Sequence, residues 1–184
     1  MRPKLPSRIP FEEMTPQLQE LLTPRRERLG YVGEFFQVGA HQPQALEWFV
    51  RFTEELKEQL DWRLAEVIAL TVAAQTGNDY ERIQHERLAL RLGFDGAQIR
   101  AVVDGSLERL DSFSEAEITA AKLAAGMVHS HGRACEAESR RLLALLGESG
   151  VVTCTMLAAR YLAHAAMANT WMLEVPVPSL LPER

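Results

Sequence analysis

The chain has 184 residues, enough for one well-buried core and short for two, and its 47% hydrophobic and 24% charged residues are the balance of an ordinary globular domain. The formal net charge of −5 comes from acidic and basic residues interleaved throughout, with no basic stripe able to track phosphates, which argues against a nucleic-acid partner. The only cysteines, Cys135 and Cys154, lie far apart in sequence with no CxxC, which argues against a disulfide scaffold or a thiol-based zinc site.

Apolar residues recur at helical spacing, and proline and glycine fall mainly between such segments and at the ends, so an all-α fold is expected. The start, MRPKLPSRIP, is basic without an apolar run behind its charges, and no window approaches the roughly 20 apolar residues that span a bilayer; a cytoplasmic protein without a membrane partner is expected. A short helix is predicted near 11–22, followed by a loop holding Gly30, Gly33 and Gly39, and a helix over 44–59. Asp61 can cap a helix that continues to Gln75, Gly77 permits a reversal, and Asn78 opens a helix to about Leu92, where Gly93 follows. Asp95 with Gln98 and Ser114 with Glu117 fit the capping-box spacing, predicting helices over 96–104 and 115–130. After a turn at His129 to Gly132, a helix should run to Leu146 with Gly147 as its stop, and a last one from Ser149 to Leu173. The tail EVPVPSLLPER cannot continue it, because its prolines lack a donor and fix an extended backbone.

The segment LAEVIALTVAAQT, Leu64 to Thr76, is apolar almost all round, which marks a helix buried on most sides. Its one charge is Glu66, and a carboxylate there must reach an edge or find a partner, because an unpaired buried charge costs several kcal/mol or protonates. Glu66 lies 11 residues before Gly77 and His85 lies 8 after it. At ~1.5 Å per residue these are roughly 16 and 12 Å along an antiparallel hairpin, a mismatch under one turn. Glu81, four residues before His85, shares its face, although its place at the third position behind Asn78 also suits a capping box. One imidazole and two carboxylates can thus converge beside an apolar wall, with the imidazole tuned near neutrality for proton transfer.

The run GNDYERIQHERLALRLGF, preceded by RLAEVIALTVAAQT and followed by GAQIRAVVDG, resembles the signature hairpin of the carboxymuconolactone decarboxylase and alkylhydroperoxidase-like superfamily. AHQP at Ala40 to Pro43 and the later helix with Tyr161 and Asn169 resemble it too. The resemblance implies an all-α, AhpD-like bundle around a central antiparallel helix hairpin, with a domain over 30–173, an N-terminal extension over 1–29 and a Pro-rich tail over 174–184. In the alkylhydroperoxidase branch the hairpin carries a Glu, a CxxC and a His; laid on this chain these fall at Glu66, at Asn78 and Glu81, and at His85. Both thiols are absent, and YERIQH resembles the decarboxylase side, where a Glu takes the second cysteine's place.

The implied activity is acid/base proton transfer on a small anionic lactone or keto acid, with no cofactor and no metal. His85 is the acid or base, Glu66 orients it and Glu81 assists. Arg82, Tyr80, Asn78 and His164 are expected around the substrate. The alternatives are the peroxidase-type antioxidant activity attached to the family, and a non-catalytic helical oligomer that binds a ligand or partner. The resemblance also implies a homo-oligomer, a trimer or hexamer, with the tail lying across a neighbouring subunit and Trp48, Trp62 and Trp171 as core or interface anchors. Arg63 and Arg87 are further candidates for a substrate carboxylate, and His129 with His131 form too weak a pattern for a metal site.

Overall fold

Thr15 starts the first helix: its hydroxyl accepts from the Leu18 amide at 3.4 Å, Pro16 follows at the first helical position, and α1 (Pro16–Leu29) ends at Gly30 in the left-handed conformation. The helix predicted near 11–22 is therefore shifted, and Phe11–Glu13 is only a 3-10 turn. The loop expected after Gly30 contains a short helix, α2 (Glu34–Gly39). Gly33 at its start is packed so closely on the Tyr80 hydroxyl that an added Cβ would lie 2.5 Å from it. The structure, a computed structural model, describes residues 6–181, so the outermost parts of the predicted N-terminal extension and C-terminal tail lie outside the described residues.

Then come α3 (Pro43–Glu58), α4 (Trp62–Gln75), α5 (Asp79–Arg91), α6 (Gly96–Asp104), α7 (Glu115–Ser130) and α8 (Glu136–Thr170), with no strand among the described residues. The fold is all-α, as expected. Both capping boxes form: Gln98 and Glu117 amides donate to the Asp95 and Ser114 side chains, and the Gln98 and Glu117 side chains accept from the Asp95 and Ser114 amides. α4 is the central helix, with every residue from Leu64 to Ala73 buried against α5, α6, α7 and α8. Ile68 and Val72 pack with Leu123 and Leu157, while Val67 and Leu70 pack with Ile99 and Val102, which is why the sequence is apolar all round there.

Gly147 interrupts α8 at φ +73°, ψ −177°, a combination open essentially to glycine alone. The long helix therefore turns where the sequence places a stop. By length and composition α8 is apolar enough to cross a membrane, against the expectation that no such window exists. The reason is that its outward positions carry Val152 and Met156 rather than charges. It packs against α3, α4 and α7, and 28% of its apolar window is buried.

Within the chain the tail folds back on α5: the Ser179 hydroxyl donates to Glu86 Oε2 at 2.7 Å, and Arg87 donates to the Pro178 carbonyl at 2.9 Å. Glu86 is fully buried, and a carboxylate there needs the Ser179 hydroxyl and the Leu180 amide together with Arg82. Of the tryptophans, Trp48 is 63% exposed and is no core anchor in the single chain.

Candidate active site

Two helix starts set the site. The Asp61 carboxylate caps α4 by accepting from the Arg63 amide at 2.9 Å, which puts Glu66 in the second turn, on the seam with α5. Gly77 at φ +62° reverses the chain, and the Asn78 side chain accepts from the Glu81 amide at 3.3 Å to start α5. Two turns on, His85 meets Glu66: His85 Nδ1 to Glu66 Oε2 is 2.6 Å. Glu81 does not complete a capping box; its carboxylate turns inward instead, 3.4 Å from His85 Nε2 and 3.0 Å from His164 Nδ1 on α8. The His164 contact is close but not aligned as a hydrogen bond, and that nitrogen is buried with no other partner. At the opposite end the Lys57 ammonium from α3 donates to Glu66 Oε1 at 3.0 Å. The result is one file of side chains from four helices, α3, α4, α5 and α8: Lys57, Glu66, His85, Glu81, His164.

Burial opposes every charge in this file, so what survives is decided by the neighbours. Burial would raise the Glu66 carboxyl, but His85 and then Lys57 hold it down at about 2. Glu81 is likewise held well below the usual carboxylate range by the imidazoles on either side, against burial. Burial would lower His85, yet Glu66 foremost, with Glu81 behind it, holds the ring well above its ordinary 6.5. The neutral poise expected from the sequence is thereby exceeded, because both flanking carboxylates are held ionised against the ring. His164 goes the other way, since burial and the nearby Arg160 outweigh Glu81. Near neutral pH the file holds an ammonium, a carboxylate, an imidazolium, a carboxylate and a neutral imidazole.

His85, Glu81, Tyr80 and His164 line a cavity of about 680 Å³, which Lys57 and Tyr161 also border. Glu66 lies behind His85 at 2% exposure. The Tyr80 hydroxyl accepts from the Phe35 amide at 3.1 Å, and burial keeps the phenol protonated by pushing its pKa up. Two predicted substrate residues are elsewhere: Asn78 is a buried cap, and Arg82 turns outward to Asp79 and Glu86. The spacing of Arg82 from those carboxylates, three before and four after, already pairs it along its own helix. Arg63 pairs with Glu117 at 2.8 Å over the Phe94 ring, outside the cavity, whereas Arg87 does border it. His129 meets Gln75 at 2.8 Å, and among the described residues no group of three or more His, Cys, Asp or Glu is placed to hold a metal.

The cavity wall contains cations that sequence reasoning passed over: Lys57 on α3, Arg25 and Arg28 on α1, Arg91 on α5 and Arg160 on α8. Arg160 had the same signature that drew attention to Glu66, a lone charge on an apolar helix. Lys57 and the α1 arginines had none, since they reach the site only through the packing of helices distant in sequence.

Residues 43–126 match the model of the carboxymuconolactone decarboxylase family. Among solved structures, the debrominase Bmp8 bound to 2,3,4-tribromopyrrole superposes with a TM-score of 0.76 at 15% identity, covering 88% of this chain and 87% of that one. An alkylhydroperoxidase AhpD-core protein from Ralstonia eutropha JMP134, a peroxidase-related protein without an assigned role, gives 0.78 at 15% identity, covering 95% and 94%. A protein of unknown function from Agrobacterium tumefaciens gives 0.67 at 15%, covering 76% and 96%. At these identities the shared property is the AhpD-type all-α fold. No curated protein matches the sequence.

Proposed function

We propose that this chain, whose residues 43–126 match the carboxymuconolactone decarboxylase family model, belongs to a branch of that family without the CxxC pair and is an acid/base enzyme. It moves protons on a small anionic molecule of lactone or keto-acid type. The observation that carries this reading is His85 held between Glu66 and Glu81 on the wall of a cavity bordered by cations. His85 enters as the imidazolium and donates a proton to an oxygen or carbon of the bound molecule. Neutral His164 takes a proton from the bound molecule, and Glu81, which touches both imidazoles, returns it to His85. Glu66 orients His85, and Lys57 holds Glu66 ionised. A debrominase of the same fold holds a tribrominated pyrrole, which supports a small cyclic ligand here.

The direct test is incubation of the protein in heavy water with a panel of small lactone acids and keto acids. NMR reads deuterium entering the carbon beside the carbonyl, and loss of carbon dioxide is followed in parallel. Absence of both across the panel would count against an acid/base enzyme of this kind.

The same geometry argues against thiol peroxide chemistry, which needs a thiolate nucleophile and a resolving thiol. The two motif positions hold Asn78 and Glu81. Cys135 and Cys154 are both buried in the core, and burial pushes the Cys154 thiol up to about 11. With a dithiol reductant the protein is expected to turn over no peroxide. Turnover that disappears on Cys135→Ser or Cys154→Ser would refute this. The exposed Trp48, Phe52, Val152 and Met156 on α3 and α8 support a homo-oligomer, proposed as a trimer or hexamer. A monomeric mass by light scattering at micromolar concentration would overturn it.

A further inference from the structure

Arg160 is 9% exposed and sits one turn before His164 on α8. Its Nε donates to Thr53 Oγ1 at 2.6 Å, and its guanidinium lies 4.7 Å from the Phe49 ring centroid and 4.6 Å from that of Tyr161. No carboxylate among the described residues pairs with it. Every other deeply placed charge around the site has an opposite charge at contact: Lys57 with Glu66, His85 with Glu66 and Glu81. A buried guanidinium held flat between rings and left without a counter-ion is costly, and the fold keeps it.

A second guanidinium faces the same space. Arg25 on α1 gives one amino group to Glu54 at 2.8 Å, while its other, Nη1, is buried with no partner. The positive charge of Arg160 reaches Arg25, whose pKa is lowered by burial and by the cations beside it. Two repelling guanidiniums on one cavity wall, each with unused donors, form an empty fork for an oxyanion.

We propose that Arg160 and Arg25 form the anion subsite of this cavity, and that it takes the carboxylate of a small cyclic or keto acid. The subsite supplies an anchor for the molecule on which His85 and Glu81 act, and in that role it rests on the acid/base reading. Residues one turn apart on a helix have Cβ atoms about 5–6 Å apart. Arg160 borders the same cavity as His164, Glu81 and His85, so a carboxylate held by Arg160 leaves the rest of a small ligand in the space these residues face. That is where a proton would be exchanged on the carbon next to a carboxylate-bearing carbon.

Binding can be measured without turnover, so failure of this subsite is separable from failure of the catalytic reading. Benzoate is the carboxylate probe and inorganic phosphate the comparison anion, each titrated by calorimetry and by the NMR shift of the His164 ring. Wild type is expected to bind benzoate saturably with movement of the His164 signal, and more tightly than phosphate. Arg160→Gln and Arg25→Gln should each weaken benzoate by at least tenfold, while Arg140→Gln, an exposed residue of α8 paired with Glu136, should leave it unchanged. Without ligand, Arg160→Met is expected to melt no lower than wild type, because it removes an uncompensated buried charge. Should Arg160→Gln fail to fold, Arg25→Gln carries the test alone. The subsite is refuted by absence of saturable benzoate binding, by affinities equal to wild type in both arginine variants, or by tighter phosphate than benzoate binding.

Discussion

Replacing Glu66 by Gln should bring the His85 titration down toward its ordinary range and destabilise the protein by about 3 kcal/mol, the low end of what breaking a buried ion pair costs. The same size follows from the carboxyl itself, since moving it from 4.5 to about 2 corresponds to roughly 3 kcal/mol at 1.36 kcal/mol per pH unit. The variant leaves two cations, Lys57 and His85, facing a neutral amide. Lys57 is part-exposed and can turn its charge to water, whereas His85 must give up its proton. The sign fixes the pH window. Glu66 has a depressed folded pKa, so its contribution is present above about 4.5 and is lost as pH falls toward 2. His85 has a raised folded pKa, so its contribution is present below 6.5 and is lost as pH rises through the elevated value. The stability gap between wild type and Glu66→Gln is therefore widest between about pH 4.5 and 6.5 and closes toward pH 2. Urea unfolding across pH, with NMR titration of the His85 ring, measures both effects. An identical His85 titration in the two proteins would show that the residues are not coupled.

His85→Asn is expected to remove deuterium exchange on any substrate found, by roughly 10²- to 10⁴-fold, the usual contribution of a positioned acid or base. Asn keeps a polar group beside Glu66 but carries no transferable proton, so the fold should survive with the chemistry gone. Because His85 is held protonated above its ordinary range, wild-type activity should persist through neutral pH and fall only as the ring loses its proton at higher pH. On the acid side it should fall as His164, whose pKa burial lowers, takes up a proton and can no longer accept one. A rate that instead changes steeply around pH 6.5, or His85→Asn activity within threefold of wild type, would assign the proton transfer to another group.

The parts of this architecture legible in the sequence are those set by neighbours along the chain. Asp61, Asn78, Asp95 and Ser114 each cap the helix expected of them, Gly77 turns the hairpin and Gly147 breaks α8. Glu66 and His85 were also reachable, because a hairpin with one tight turn converts residue count into axial position. What escaped was set by contacts between distant segments. Lys57 belongs to the site through α3, which packs against α8 and reaches Glu66 of α4, and Arg25 through α1, which borders the cavity. Arg82 was misplaced because partners on its own helix satisfy it first. The seat of the tail on α5 escaped because the sequence gives no sign that buried Glu86 needs a hydroxyl donor.

The cavity is divided along the chain in an unequal way. Lys57, Glu66, Glu81 and His85 all fall within segment 43–126, which matches the family model, whereas Arg25 precedes it and Arg160, Tyr161, His164 and Val177 follow it. On the proposed reading, the imidazole flanked by carboxylates belongs to the matched segment, while both arginines of the anion subsite and the accepting His164 lie outside it. A substitution in a flank can reshape which molecule fits while leaving the imidazole and its carboxylates untouched. Descendants of one ancestor can in this way exchange substrates without reinventing the reaction, and a shared hairpin is a poor guide to a shared metabolite.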